Sequence, residues 1–555
     1  MKVTIEQLIH VAMKDAFGIE GIFFTVEQPG DLSYGDYATN VALVLSKQLA
    51  LSPRAVAETL VEAIETAKPA EISDISIAGP GFINFVLSKE FFAGTVNHIL
   101  EKNRYWGSSM IHVGKKILVE HSSPNLFKPF HIGHAMNNTI GESLVQLARF
   151  SGADVATTSF PSDISLGVAK AVFILLENKS ETLTIEMLGD AYVQGTARYA
   201  DDESIHVRVK EIADNLYAQT PSDEWDLYQK CKTFNIAYFE NIVTNKLGST
   251  FDFYIYESEA GIVGSEIVKD NTPAVFTESE GAIVYVPEEG RKDINTSVFI
   301  NSQGNPTYEA KDIGLLNMKF DRVHPDVSLF VTDNQQVPHF TAVLDAAKKI
   351  NPVWAQNSVH IHHGRMSFKG QKMSSRLGGV PLAETLIETV GEEVKERARD
   401  ISDASVDAIA IAAIKFSILR AAAGKDINFD PETSLSFEGD SGPYLQYSTV
   451  RANSILAKTE TVPVATLPEN WNTTMLEKQL VHFPELVERA IGEWSPHFVV
   501  TYLLELAQTF NSWYAHTKII DETKESAYKL ALTKAFAQTM QNGLTLLGIK
   551  VPEKM

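Results

Sequence analysis

The stretch KKILVEHSSPNLFKPFHIGHAMNNTIGESLVQLARFSGADV, Lys115 to Val155, narrows the fold more than any other part of the chain. An apolar β run enters a loop marked by proline and glycine. A helix follows with Ile140, Leu144, Leu147 and Ala148 on one face, and Gly152 ends it. Strand, loop and helix in that order begin a nucleotide-binding α/β fold, where ligands sit at strand carboxyl ends and helix N-termini. His131 and His134 are spaced i, i+3, which places both imidazoles on one face of the first helical turn, within reach of one anion. Gly133 leaves the backbone bare for a base or phosphate, and the free N–H groups of a helix start favour negative charge. The same pair also reads as a solvated cap or a satisfied core pair. No third ligand stands at metal-binding spacing.

A chain of 555 residues exceeds one ordinary core, and usual domain sizes imply roughly three to five units. With 44% hydrophobic and 21% charged residues it has the material for folded cores rather than disorder. The net charge of −22 argues against broad nonspecific nucleic-acid binding, which needs clustered cations. From Ala410 to Met555, however, 13 Lys+Arg face 16 Asp+Glu, so a local basic groove is compatible with the composition there. One cysteine, Cys231, makes no internal disulfide and no multi-cysteine zinc site. No stretch approaches a membrane span, and the N-terminus MKVTIEQLIHVAMKDAF mixes acids into an amphipathic helix. The expected compartment is the cytoplasm.

Three domains are expected. Residues 1–105 read as α+β, with helices at Ile5–Phe17 and Pro53–Ala67 and a strand pair turning at Gly79-Pro80-Gly81. This is a stability or docking module, since it assembles no nucleophile, base or metal ligands. Residues 106–400 read as the nucleotide fold, interrupted at about 183–272 by a helical, acidic, tyrosine-rich insertion. GAIVYVP and TSVFINSQGNPTYEAKDIG return to strands, and LFVTDNQQVPHFTAVLDAAKKI supplies a further strand, loop and helix. Residues 401–555 are almost wholly helical.

A second candidate for chemistry is KGQKMSSRLGG, Lys369 to Gly379, a glycine-rich cationic loop able to close over phosphates. Alone it reads as well as a solvated loop. HIGH followed more than two hundred residues later by KMSS resembles the paired signatures of class I aminoacyl-tRNA synthetases. VEHSSPNLFKPFHIGH, NPTYEAKDIG, GRMSFKGQKMSSRLGG, SGPYLQYSTVRANSIL, GDYATNVA, GPGFIN and LGIKVPEKM together resemble the arginyl-tRNA synthetases over essentially the whole chain.

The resemblance implies a Rossmann-like catalytic domain with a parallel sheet, an α+β N-terminal domain touching the tRNA core, and an all-α anticodon-binding domain. It implies ATP with Mg²⁺ and no zinc, and L-arginine and tRNA(Arg) as partners of a monomer that contacts no membrane. Arginine is a planar cation with five donors, which a pocket of carboxylates and carbonyls would match. The matching positions are Glu120, Asn125, Tyr308, Asp312 and Gln336. On sequence alone, Asp312 reads equally as a cap for the following helix. His131, His134, Lys128 and Lys372 would carry the phosphate chemistry. Phe130, Gly133, His339, Met373 and Ser374 would line the ATP site, within a signature completed by Pro124, Leu126, Phe127, Pro129 and Ile132.

Tyr444, Gln446, Tyr447, Arg451 and Met555 would meet the anticodon arm, although several of these tyrosines read equally as core. Phe82 and Asn84 would meet the outer corner of tRNA. The chain departs from the pattern twice. Ser375 stands where the general class I loop has its second lysine, with Lys128 expected to compensate. SFPSDISLGVAK replaces a common glycine-aspartate-tryptophan-glycine run, so that only Asp163 carries over there. The alternatives are another class I synthetase, such as the cysteinyl type with its zinc site, and a silent paralogue that only binds tRNA.

Overall fold

The computed structural model of the chain describes residues 1–30, 34–178, 182–369, 382–397 and 401–555. Contacts group the chain into two units. One comprises Met1–Trp106, Ala452–Phe483 and Thr509–Thr539; the other comprises Gly107–Arg451, Pro484–Gln508 and Met540–Met555.

In the first unit, helices α1 (Lys2–Phe17), α2 (Val41–Leu49), α3 (Pro53–Ala67) and α4 (Lys89–Lys102) accompany strands β1 (Val26–Glu27), β2 (Tyr37–Thr39), β3 (Ile72–Ala78) and β4 (Phe82–Leu87). The strands form an antiparallel sheet in the order β1-β2-β4-β3, with Ile5, Ile9, Leu45, Leu60 and Phe85 in its core. Local chemistry sets the edges: Ser52 accepts the Ala55 N–H and Pro53 occupies the first turn, which starts α3. The β3–β4 turn needs Gly81, whose φ is +140° and whose Cβ would sit 2.8 Å from the Pro53 carbonyl oxygen. Asp36 accepts the Leu87 N–H at 2.8 Å and faces Lys478 Nζ at 2.8 Å, tying the sheet to the helix Met475–Leu480.

The second unit is built on a five-stranded parallel sheet. Its strands are β5 (Lys116–Glu120), β6 (Asp154–Ser159), β7 (Phe253–Tyr254), β11 (Val327–Asp333) and β12 (Ser358–His363), in the order β12-β11-β5-β6-β7. Ile117, Leu118 and Val119 are all buried, the continuous apolar run that a doubly covered parallel strand requires. β5 leads through α5 (Ile132–Phe150) to β6 on one side, while β11 pairs on the other. Chain order therefore reverses beside β5, which opens a crevice at its carboxyl end.

Helices α6 (Leu166–Asn178), α7 (Ile185–Asp201), α8 (Glu203–Tyr217) and α9 (Asp223–Glu240) share one apolar core, so the helical body begins ahead of residue 183. Strands β8 (Thr277–Ser279), β9 (Ala282–Tyr285) and β10 (Ser297–Ile300) form a separate antiparallel sheet.

Helices α10 (Glu257–Asp270) and α11 (Tyr308–Val323) cross through two glycines. A Cβ on Gly264 would lie 1.8 Å from the Ala310 carbonyl oxygen, and one on Gly314 would lie 1.9 Å from that of Ala260. Backbone cannot yield as a flexible side chain does. Gly264→Ala should therefore destabilise this unit by about 3 kcal/mol, the upper end of ordinary overpacking, read as a lowered denaturant midpoint.

Candidate active site

The crevice loop is held at both ends by apolar anchors rather than lying free. Leu126 and Phe127 insert into the α6–α9 core, and Phe127 stacks on Tyr228 with ring centroids 6.3 Å apart. Phe127 takes a positive φ of 62°, and its N–H donates to Asn235 Oδ1 at 2.5 Å. Phe130 and Ile132 belong to another core, with Met136, Phe239 and Leu386. Asn125 is exposed and bridges to Ser162, which donates its N–H to the Pro124 carbonyl at 2.9 Å. Pro129 lies against Gly189 of α7.

At the start of α5 the histidines cap the helix and stack on each other, centroids 3.7 Å apart. His131 Nδ1 accepts the Gly133 N–H at 3.1 Å, and His134 Nδ1 accepts the His131 N–H at 3.3 Å. Two consequences follow. The N–H groups of Gly133 and His131 are already engaged by imidazole, contrary to the expectation of free helix-start donors. Because each Nδ1 accepts, each ring carries its proton on Nε2, and those two N–H groups are the donors left for a ligand. Burial, followed by the nearby Lys128 ammonium, lowers the pKa of His131. His134 goes well below the ordinary value through burial, His131 and Lys128 in turn. Both are neutral donors at pH 7, and among the described residues Lys128 brings an ammonium to this corner. Its Nζ lies 4.2 Å from the Tyr192 ring centroid, a cation–π contact from α7.

A chain of carboxylates and cations lies across β5, α11 and α12 (Val337–Ile350). Glu120, the last residue of β5, receives a hydrogen bond from Lys319 of α11 at 2.6 Å, and both are buried. Asp312 lies within α11 and caps no helix start; His339 of α12 meets its Oδ2 through Nε2 at 2.5 Å. His339 Nδ1 is 3.6 Å from Glu309. Burial would push His339 down, but the two carboxylates outweigh it and hold its pKa at about 9. His339 is thus an imidazolium at neutral pH. Tyr308 at the start of α11 and Gln336 before α12 are both exposed.

Lys372, Met373 and Ser374 fall outside the described residues. Four of the expected tRNA residues lie on the helix Gly442–Leu456. Gln446 is fully buried and donates to the Ala408 and Lys550 carbonyls, and Tyr444 is buried as well, so both are interior residues rather than surface contacts. Tyr447 and Arg451 are half-buried and paired, the guanidinium carbon 4.6 Å from the ring centroid. Met555 packs against the core that contains Phe130 and Ile132. Phe82 is exposed, whereas Asn84 is buried in β4 and is likewise corrected to a structural position.

Sequence reasoning missed His121, Asn137 and Asn138, which shape the same loop. Asn137 accepts the Ser122 N–H at 2.6 Å and donates to the Val331 carbonyl at 2.5 Å. Asn138 donates to Ser122 Oγ at 2.9 Å. His121 is buried against Gly141, where a Cβ would lie 2.2 Å from its Cγ. The adjacent Asn137 and Asn138, one turn into the helix after His134, were the available signal. Asp163, carried over only weakly, is a buried hub that accepts from Tyr228 at 3.0 Å, Lys232 at 2.6 Å, and the Ser258 N–H at 2.9 Å and hydroxyl at 2.7 Å.

Comparison with known families now bears on this geometry. Residues 95–430 match the family model described as tRNA synthetases class I (R), catalytic domain. The chain belongs to the arginyl-tRNA synthetase family. Residues 3–87 match the arginyl tRNA synthetase N terminal domain, and 445–555 the DALR anticodon binding domain. The chain is 30% identical to an arginine–tRNA ligase from Clostridium botulinum and 29% identical to one from Clostridium perfringens, each match covering 97% of both chains. Two solved arginyl-tRNA synthetases share its fold. The Thermus thermophilus structure gives a TM-score of 0.79 at 23% identity over 100% of both chains. The Plasmodium falciparum structure gives 0.81 at 20% identity, covering 100% of this chain and 99% of the other. The fold is that of a class I synthetase catalytic domain with an N-terminal domain and a helical C-terminal domain.

Proposed function

We propose that the chain is an arginine–tRNA ligase. It converts L-arginine and ATP to arginyl-adenylate and pyrophosphate, then transfers the arginyl group to the 3′ adenosine of tRNA(Arg) and releases AMP. The observation that carries this reading is the pair of Nε2–H donors at the start of α5, fixed because both Nδ1 atoms are engaged. They stand at the far end of the loop that begins at Glu120, the residue from which the carboxylate sites of β5 and α11 continue.

In this mechanism the arginine carboxylate attacks the α-phosphorus while the bond to pyrophosphate breaks, with no covalent enzyme intermediate. The chain's part is positioning and charge stabilisation. His131 and His134 donate to phosphate oxygens, Lys128 offsets charge on the departing pyrophosphate, and Phe130 and Gly133 shape the adenine side. Mg²⁺ bound to the nucleotide would offset part of its phosphate charge. Asp312 and Glu120 receive the guanidinium, with Tyr308, Asn125 and Gln336 around the amino acid. Lys372, Met373 and Ser374 complete the phosphate side in the same reading.

We assign residues 1–105 to the tRNA core, with Phe82 its exposed contact, and 106–400 to catalysis. Residues 401–555 go to the anticodon, with Tyr447, Arg451 and Met555 as contacts. The protein is read as a cytoplasmic monomer. Among the described residues no helix is long and apolar enough to cross a membrane.

Arginine-dependent exchange of pyrophosphate into ATP, measured with and without tRNA, tests the chemistry. Lys128→Met should lower its turnover roughly 10²-fold, the scale of one lost electrostatic stabiliser, with little change in arginine affinity. An unchanged rate would remove Lys128 from the mechanism.

A further inference from the structure

Lys128 is expected to make good the lysine that Ser375 replaces, yet its charge sits on a long, half-buried side chain. We propose that Tyr192 of α7 is the positioning residue for Lys128, its ring holding the ammonium at the phosphate corner without neutralising it. This rests on the assignment of Lys128 to the departing pyrophosphate.

One face of α7 carries the loop. Gly189 and Tyr192 are three residues apart, so they point the same way from the helix. A Cβ on Gly189 would lie 3.3 Å from Pro129 Cδ, and the Tyr192 ring centroid lies 4.2 Å from Lys128 Nζ. Two adjacent loop residues thus rest on two neighbouring positions of one helix face. The ring is itself seated, because a Cβ on Gly167 of α6 would lie 2.2 Å from the Tyr192 hydroxyl oxygen. On either side of Lys128 the loop is anchored: Phe127 stacks on Tyr228, and Phe130 packs into the core with Phe239 and Leu386. The freedom left to Lys128 is therefore that of its side chain, and the ring is what limits it.

Among the described residues Lys128 forms no ion pair with a carboxylate. A carboxylate in place of the ring would cancel the charge that the pyrophosphate has to meet. The face of a tyrosine attracts an ammonium through its quadrupole and leaves that charge whole. It also orders a flexible four-carbon stem before the reaction rather than during it. Stabilisation of a leaving group depends on charge that is already in place.

The test is a double-mutant cycle of Tyr192→Leu and Lys128→Met, read as arginine-dependent pyrophosphate exchange by the full chain with tRNA(Arg) present. Tyr192→Leu should lower turnover roughly 5- to 30-fold, the range from a half-buried to a desolvated cation–π pair, with the KM for arginine unchanged. Tyr192→Phe retains the ring and should keep most of the rate. In the Lys128→Met background, Tyr192→Leu should cost less than about 2-fold more, since the ammonium it holds is gone. Tyr192→Met takes its place if the leucine variant does not fold. A folded Tyr192→Leu at the wild-type rate, a Tyr192→Phe as slow as the leucine variant, or the same loss in both backgrounds overturns the positioning role. A wild-type rate in Lys128→Met overturns the assignment of Lys128 instead.

Discussion

Asp312→Asn should raise the KM for arginine roughly 30- to 5,000-fold while leaving the KM for ATP little changed, the range set by losing one partner of a desolvated charge pair. The loss has two parts. Asparagine presents one oxygen and one NH₂ where the guanidinium fork seeks two acceptors, and it removes the carboxylate charge that faces His339 and would face the guanidinium. The histidines and Lys128 are held by contacts that Asp312 does not make, so the nucleotide side is spared. Arginine- and ATP-dependence of pyrophosphate exchange separates the two constants. A parallel rise in both would show that Asp312 supports the fold of the pocket rather than its specificity.

Lys319→Met should destabilise the parallel-sheet unit by about 3–5 kcal/mol, because it leaves the Glu120 carboxylate buried without its ammonium. The pair joins the end of β5 to α11, two turns beyond Asp312, so it also sets where the α11 carboxylates stand. The double variant Lys319→Met/Glu120→Gln should recover part of the loss, since no isolated charge then remains. Denaturant unfolding monitored for this unit gives the comparison. A single variant within about 1 kcal/mol of the wild type would mean that Glu120 is solvated or otherwise paired.

Local signals in the chain were enough to place several elements. Pro53 after Ser52 starts α3 at the expected residue, and the Ile140, Leu144 and Leu147 spacing gives α5 with Gly152 just beyond its end. These depend on neighbours a few residues apart, which is what periodicity and capping report. The expected fold class also stands, because the strand–loop–helix run from Lys115 determines how a parallel sheet begins.

What escaped depends on partners distant in sequence. Nothing near Glu120 announces Lys319, 199 residues away, and nothing near His339 announces Asp312, 27 residues earlier. The resemblance put Gln446 and Asn84 among the tRNA contacts, yet one is spent on the carbonyls of Ala408 and Lys550 and the other lies inside a strand. The histidines of HIGH were legible as a pair. Their tautomer was not, since it follows from which nitrogen meets the main chain.

The decisive measurement is aminoacylation by the purified full chain with Mg·ATP, tRNA(Arg) and each amino acid in turn, following charged tRNA and AMP together. Arginine alone should be attached, with one AMP formed per arginyl-tRNA. Binding of tRNA with neither AMP nor charged product, or charging with another amino acid in arginine's place, would contradict the proposed reaction.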